Sequence, residues 1–364
     1  MANDFSALTP VKYSLRLIEI LYNETVYTKI TNTNYEGEIK QSGDRVRVRT
    51  LGKLTMKAYT KGMTLVTEDL TPTDEDLIID QQYYFKFVVD DIDAIQNDID
   101  TINEYAALAK QDMQELLDTD ILTYMRKNVD GDNALGTAYA TGTVAVAATT
   151  GVVTGTGTTF TAAMVGGYFK ATGEDNFYLV TAYTSATSIT VTDLDGTGYS
   201  GGAVSGGTAY TINAATAVAV TKSNIYAKIV ALRTALGNKL TPKAGRFLVV
   251  NSEFEGLLLQ APEFIPAVGK AYEDAVLGGM IGRIAGFDVY TSELVNGDNT
   301  TGYWFLAGTR EYCSMALQII KTNIVPSSAS ENTFVDTCKG LLVWGRKVFE
   351  GNRGRGAVLR ATLS

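Results

Sequence analysis

GGMIGRIAGFDVYTSELV (residues 278–295), WFLAGTREYCSMALQI (304–319) and VDTCKGLLVWGRKVFE (335–350) are the stretches that decide how this chain reads. Glycines punctuate runs rich in β-branched and aromatic residues, which predicts strands at Phe287–Thr291 and Leu341–Val348. Between them the spacing predicts a third strand and one helix-like stretch, entered through Ala307-Gly-Thr-Arg310. The segment offers no nucleophile beside a base, no phosphate loop and no metal cage.

The whole chain has 364 residues, 45% of them hydrophobic, and a net charge of −9. That length accommodates two or more domains around a sizeable core. A mean hydropathy of +0.02 and a pI near 4.8 describe a folded acidic protein. Such a balance argues against a protein whose main task is gripping nucleic-acid phosphates. Histidine is absent, which removes Ser-His-Asp and Cys-His nucleophiles, imidazole proton shuttles and His-containing zinc sites. Cys313 and Cys338 cannot form a Cys-x-x-Cys motif, and free buried thiols are favoured over a bridge between them. Two cysteines in this length suit a reducing cytoplasm. The opening MANDFSALTPVKYSLRL lacks an apolar signal core, and no run approaches the roughly 18 apolar residues of a membrane span. The expectation is a soluble cytoplasmic product.

Upstream of the quoted stretches, Ile225, Ile229, Leu232 and Leu236 share one helical face, with Gly237 as the expected stop. Arg246–Val250 reads as a buried strand, and Ser252 with Glu255 as a capping box for a short helix through Leu259. Residues 142–213 are dominated by Thr, Gly, Val and Ala. Strand-like runs there, at Tyr168–Ala171, Tyr178–Ala182 and Ser188–Thr192, predict a small β-barrel or sandwich inserted into a host domain. Before it, Ile102, Tyr105, Ala109, Met113, Leu116, Leu117, Ile121 and Tyr124 sustain an apolar helical stripe. The stripe runs for about 25 residues, or ~37 Å, behind a Thr101–Glu104 capping pair. Tyr83–Val89 is apolar on both faces and is expected deep in a sheet. Arg45, Arg47 and Arg49 alternate with Val46 and Val48, the period of a strand with one wet face. Short strands are expected to follow at Leu54–Tyr59, Thr64–Glu68 and Leu77–Gln81. Residues 1–34 form a polar arm with an amphipathic piece at Tyr13–Tyr22.

The pattern Gly-Arg-Ile-x-Gly-Phe-Asp-Val-Tyr-x-Ser (282–292), Ala-Gly-Thr-Arg running into a helix (307–310) and a strand ending Gly-Arg-Lys-Val (345–348) resembles the major capsid proteins of tailed bacteriophages. A single long helix directly behind an extended hairpin adds to the resemblance. Those shell subunits share the Hong Kong 97-type fold. The resemblance implies an α+β chain with an N-terminal arm (1–34), an extended β-hairpin loop (35–81) and a peripheral domain with a long spine helix (82–141). An inserted all-β domain (142–213), an axial domain (214–335) and a returning peripheral segment (336–364) would complete it. It implies a non-enzyme without cofactor or metal, found in the virion capsid after assembly in the host bacterial cytoplasm. The implied partners are further copies in hexamers and pentamers, scaffold, portal and decoration proteins, and packaged double-stranded DNA by non-specific proximity, with no membrane. An acidic wall is compatible with enclosing DNA without adhering to it. Because no long charged helical leader precedes the arm, any scaffold is expected to be a separate protein.

Two alternatives stay open at this point. An encapsulin-type compartment shell shares the fold, though an outward insert favours a phage. A tail or adhesion protein would use the Thr/Gly-rich β-domain for carbohydrate, with Tyr168, Tyr178, Tyr183, Tyr199 and Tyr210 as sugar platforms. Both tryptophans lie outside residues 142–213, which weakens that reading.

Charge is segregated around the hairpin. Lys40, Arg45, Arg47, Arg49, Lys53, Lys57 and Lys61 lie on its first half, and Glu68, Asp69, Asp74, Glu75 and Asp76 on its second. Asp80, Asp90, Asp91, Asp93, Asp98, Asp100 and Glu104 extend the acidic run. These are the candidates for pairing between adjacent subunits, where charge complementarity sets register and partner choice more than affinity. Solvated strand and helix faces are the plainer reading. Asp130, Asp132 and Asn133 fall short of a calcium loop and read as a turn; GGMIGRIAG and EGNRGRG match no phosphate loop. Arg353 and Arg355 are candidates for touching packaged DNA. Lys53, Lys57 and Lys61 sit where a cross-linking donor would be, but no motif places an acceptor, so no covalent chemistry is implied.

Overall fold

A computed structural model of the chain describes residues 25–35, 45–50, 56–65, 67, 72–90, 101–261, 282–325 and 335–364. The amphipathic piece expected at Tyr13–Tyr22 lies outside them. A one-turn helix, α1 (Tyr27–Ile30), precedes β1 (Arg45–Thr50), which pairs antiparallel with β2 (Thr73–Ile78). The period of two decides the faces of this hairpin. Val46, Val48 and Leu77 join an apolar cluster while the arginines point to water. Beyond these six-residue arms the expected strands do not form among the described residues. Residues 56–60 and 63–65 are irregular, and a Lys61-Gly62 turn, with Gly62 at φ +88°, joins them. A lone two-stranded ribbon is marginal in water, and no further strand among the described residues extends its ladder.

The strand expected at Leu77–Gln81 is broken at Ile79-Asp80, where the chain passes from one sheet to another. It continues as β3 (Gln81–Asp90), then as the long helix α2 (Thr101–Lys127). Side chains of the Thr101–Glu104 capping pair lie outside the described residues. Leu117, Ile121, Leu122 and Met125 of α2 are buried, whereas Tyr105 is exposed. A single-turn 3₁₀ segment at Gly131–Asn133 leads to β4 (Ala134–Leu135).

Eight strands follow: β5 (Thr137–Tyr139), β6 (Thr143–Val146), β7 (Val152–Thr156), β8 (Tyr168–Ala171), β9 (Tyr178–Ser185), β10 (Ser188–Thr192), β11 (Val204–Thr208) and β12 (Tyr210–Thr216). They form one sheet in the order β11-β6-β7-β10-β9-β8-β12-β5 with an apolar cluster of its own, including Val153, Phe169, Ile189 and Ile212. Alternation is clean in β10, where Ile189 and Val191 are buried between half-buried Ser188, Thr190 and Thr192.

The chain then runs through β13 (Val218–Val220), α3 (Ile225–Asn238), β14 (Arg246–Val250), α4 (Ser252–Leu259), β15 (Arg283–Ile284), β16 (Phe287–Thr291) and β17 (Tyr303–Thr309). The four apolar residues expected on α3 are all buried. The helix continues past Gly237 to Asn238, and Leu240 takes the left-handed φ of +57°. The cap of α4 is Asn251, whose side chain accepts from the Phe254 N–H at 3.0 Å. Ser252, expected as the cap, instead donates its N–H to Glu293 at 2.9 Å.

After Thr309 the expected helix is a single 3₁₀ turn, Arg310–Tyr312, and the chain enters β18 (Ser314–Val325). That strand pairs along its length with β19 (Val335–Lys347). Ladder pairing overrides the local helical spacing. The last strand is β20 (Gly356–Leu363). The order β13-β20-β17-β14-β16-β15, with β4 beside β20, makes a seven-stranded sheet. The order β18-β19-β3 makes a three-stranded one. Sheet membership thus cuts across the linear division at residue 335: β18 joins β3, and β20 lies between β13 and β17.

β3 corrects a sequence expectation. Among the described residues it is an outer strand with a neighbour on one side only, and Tyr84 and Val88 are 81% and 54% exposed. Its apolar character on both faces is real, but Tyr84 and Val88 are covered by no described residue.

Candidate assembly surface

The spine helix is fixed at both ends of its buried half. Buried Asp118 accepts the backbone N–H groups of Val26 and Tyr27 at 2.9 and 2.7 Å, satisfying donors at the start of α1. Burial pushes its carboxyl up to about 6 despite those two bonds. At the other end, the Tyr312 hydroxyl donates to the Met125 carbonyl at 2.6 Å and Tyr168 donates to that of Arg126. The 3₁₀ turn after β17 and the strand β8 thereby cap the last turn of α2.

Beside that turn, Trp304 is sandwiched between two guanidinium groups, Arg126 at 3.9 Å and Arg360 at 4.7 Å from the ring centroid. Arg126 donates to the Gly166 carbonyl; Arg360 donates to those of Thr301, Ala214 and Ala215. Burial and the neighbouring Arg126 bring Arg360 down to about 10. Helix, eight-stranded sheet and seven-stranded sheet meet at this stack.

On one face of the three-stranded sheet, α2 supplies the cover. Trp344 donates to Asp120 at 3.0 Å and stacks on Tyr83, and Phe87 meets Tyr105. Gly345 lets the hairpin cross: a Cβ there would lie 2.3 Å from the Ile78 carbonyl oxygen. The hairpin's inner face, through Leu77 and Ile79, packs on Ala316, Val343 and Phe349. Glu75 on that side accepts the Glu350 N–H at 3.1 Å.

The outer face of the hairpin holds the candidate arginines. Arg47 makes a two-pronged contact with Asp76, at 2.8 and 3.2 Å, with Arg45 at 3.6 Å from the same carboxylate and Arg49 at 3.4 Å from Asp74. The hydrogen bonds from Arg47 hold the Asp76 carboxyl below its usual range. Of the charges expected to pair between subunits, Arg45, Arg47, Arg49, Asp74 and Asp76 are thus already paired across one hairpin. Lys57 and Lys61 are exposed at its tip, with no ion pair among the described residues. Beside them, Met56 is 95% and Leu65 75% exposed, with Tyr59 and Met63 also open to water. The tip's apolar side chains were not singled out from sequence, because a period of two assigns an inner face without revealing whether the chain supplies a partner for it. Lys40, Lys53, Glu68 and Asp69, and Asp91, Asp93, Asp98 and Asp100, lie outside the described residues.

The remaining candidates are placed otherwise. Arg355 pairs with Glu311, and half-buried Arg353 lies near Asp195, whose carboxyl is lowered mainly by hydrogen bonds from Thr197 and only slightly by Arg353. Asp130 and Asp132 both pair with Lys239, at 2.8 and 2.9 Å, and Asn133 donates to two backbone carbonyls. No metal-holding group occurs among the described residues. Of the five tyrosines considered as sugar platforms, Tyr168, Tyr178, Tyr199 and Tyr210 are buried, leaving only Tyr183 at the surface. Cys313 and Cys338 are free and buried, and burial pushes the Cys313 thiol up to about 12. No described helix is long and apolar enough to cross a membrane.

What the geometry presents is a packed core beside exposed apolar side chains at the hairpin tip and on β3. The fold is similar to a solved structure from Mycobacterium phage Che8, with a TM-score of 0.65 and 19% identity over 99% of this chain and 98% of that one. It is similar also to the capsid structure of cyanophage P-SCSP1u (TM-score 0.63, 11% identity, 100% and 96% coverage). The mature capsid of bacteriophage PhiM1 gives a TM-score of 0.57 at 12% identity, over 97% and 92% of the two chains. The Hong Kong 97-type fold is consistent with these neighbours. No curated protein matches the sequence. The phage capsid protein family matches residues 175–359, more than half of the chain, and the chain belongs to that family. It is a major capsid protein, a structural protein that self-assembles into a phage shell.

Proposed function

We propose that this subunit builds the icosahedral head of a tailed bacteriophage as hexamers and pentamers around double-stranded DNA, assembled in the host cytoplasm. In this reading residues 1–34 are the arm, 35–81 the extended hairpin, 82–141 with 336–364 the peripheral domain, 142–213 the inserted β-domain and 214–335 the axial domain. A separate scaffold, a portal and decoration proteins are its further partners, with the DNA held by proximity. It has no catalytic role.

The observation that carries the reading is the hairpin tip. Met56, Tyr59, Met63 and Leu65 project from the ribbon uncovered by any described residue of their own chain, and Lys57 and Lys61 flank them. Such a patch on a soluble chain marks a protein interaction site. The paired Arg45, Arg47 and Arg49 then stiffen the ribbon that presents the tip, and the tip reaches the neighbour. Weak contacts repeated around a shell add through multivalency. Electron microscopy of the chain, expressed alone and with its neighbouring genes, tests this. Closed shells or capsomer rings are expected. Monodisperse monomers under every condition would overturn the reading.

A further inference from the structure

Helix α3 stops where its sequence would not stop it. Its end is a Schellman motif, in which the Leu240 N–H donates to the Gly237 carbonyl at 3.0 Å and the Thr241 N–H to that of Leu236 at 3.1 Å. The left-handed position of that motif favours glycine, because a Cβ there crowds the following carbonyl oxygen. Here the position is held by Leu240, at φ +57°. The available glycine, Gly237, lies three residues earlier, inside the helix, where it weakens it. Each residue stands where the other would be the better choice for folding.

The strained backbone aims an apolar side chain at water. Leu240 is 89% exposed, and outside the hairpin tip no large apolar side chain among the described residues is more so. The surrounding contacts hold it there. Lys239 pairs with Asp130 and Asp132, the Thr241 hydroxyl donates to the Gly354 carbonyl at 3.2 Å, and buried Arg246 donates to the carbonyls of Thr241 and Pro242. A bulky residue kept left-handed by its neighbours and contributing nothing to its own core marks a functional position.

The same chain carries a surface that fits it. Leu135 and the outward side of α3, through Ala227, Val230, Ala231 and Ala235, line an open groove of about 670 Å³. At its rim a single ammonium, Lys239, serves two carboxylates, so Asp130 and Asp132 leave a surplus negative charge, and the Asp132 side chain is 58% exposed. On the Leu240 loop, Lys243 is exposed and has no ion pair among the described residues. An apolar knob beside a free cation thus complements an apolar groove beside a surplus anion. We propose that Leu240 is an assembly anchor that seats in the α3 groove of a second copy, with Lys243 against Asp132 of that copy. The proposal rests on the shell reading above and adds to it a strained residue whose use is in the assembly.

Leu240→Gly separates the two roles, because folding and assembly should respond in opposite directions. Relief of the left-handed strain is expected to leave the melting temperature of the isolated subunit unchanged or raised, while shells form in at least tenfold lower yield. Leu240→Asn, which also tolerates the backbone but is polar, should lose assembly in the same way. Normal assembly of either variant overturns the proposal, and so does a lowered subunit melting temperature with Leu240→Gly, which would place the leucine in its own core. The receiving groove is tested by Leu240→Cys/Ala231→Cys under mild oxidation of assembled shells. Nine helical residues set these positions roughly 13 Å apart in one chain, too far for an internal bridge, and Cys313 and Cys338 are buried. Covalent multimers are expected from the double variant and from neither single one. Shells that give no multimers overturn the groove, and loss of Leu240→Gly shells only when other phage proteins are present assigns the leucine to one of those and overturns the proposal. Wild-type chain that forms no shells in the parallel preparation defeats the shell reading itself, and this contact with it.

Discussion

The seven-stranded and three-stranded sheets of this subunit differ in who completes them. Every residue of β14 is buried, and α3 and α4 contribute Ile229, Leu232, Phe254 and Leu258 to the same cluster. In the three-stranded sheet one face is packed by α2 through Trp344, while β3 leaves Tyr84 and Val88 in solvent. The first sheet finishes its burial within the chain; the second, among the described residues, does not. The contrast is sharpest where a substitution affects the isolated subunit in one region and only the shell in the other.

The largest effect on the isolated subunit is expected at Trp304, where the seven-stranded sheet meets α2 and the eight-stranded sheet. Removing a buried Trp costs about 3–5 kcal/mol through lost transfer energy and the cavity left behind. Trp304→Ala also strips the ring from two buried guanidinium groups, Arg126 and Arg360. Denaturant unfolding of the subunit should show a loss at the upper end of that range. A loss below about 1 kcal/mol would mean that the junction does not hold the two sheets together.

Asp118 ranks next, and its effect depends on pH. Its folded pKa, about 6, lies above the ordinary 3.8, so folding favours the protonated form. The stability it contributes is fully present below about pH 4 and is lost as pH rises through 6, by up to about 3 kcal/mol. Nearby Glu115 pushes in the same direction. Depressed carboxyls such as Asp76 and Asp298 titrate the opposite way, so the measurement is a difference. The stability of wild type minus that of Asp118→Asn should fall between pH 4 and 7. A flat difference would refute the assignment.

These two sites also show how much was legible. The α3 stripe, the strands at Arg246–Val250 and Phe287–Thr291, and β8 and β10 all formed where alternation or a 3.6-residue period placed them. Local pattern failed where a long-range partner decided the outcome. The stretch after Ala307-Gly-Thr-Arg310 spaces its apolar residues like a helix, yet β19 draws it into a ladder. Tyr83–Val89 reads as an interior strand because composition cannot distinguish a face covered by its own chain from one awaiting another. The hairpin charges read from sequence as candidates for pairing between subunits, and cross-strand register sets Arg47 against Asp76 inside one chain. Asp118 and the Trp304 stack carry no sequence signature, since each depends on residues tens to hundreds of positions apart.

A smaller loss, about 1–3 kcal/mol, is expected from Gly345→Val, where the added side chain would meet the Ile78 backbone at 2.3 Å. Backbone cannot swing aside as a side chain does, so the hairpin base must lift from β19. Gly202→Ala, with nothing within 4 Å, is the matched control and should be neutral. Shell yield should fall with Gly345→Val by more than subunit stability alone accounts for, because the hairpin is re-aimed as well as loosened.

The smallest effect on the subunit is expected at Tyr84, and there the contrast between the sheets is tested most directly. Tyr84 is 81% exposed and faces no described side chain across the solvent. Tyr84→Thr keeps a strand-compatible residue in β3, so unfolding of the isolated subunit should change by no more than about 0.5 kcal/mol. If the face is completed by another copy, the same substitution removes an aromatic anchor from an interface, the residue type whose loss costs most there. Capsomer or shell yield should drop although the monomer is untouched. Equal effects on both would show that β3 belongs to the core of its own chain. No effect on either would show that its exposed tyrosine faces only water.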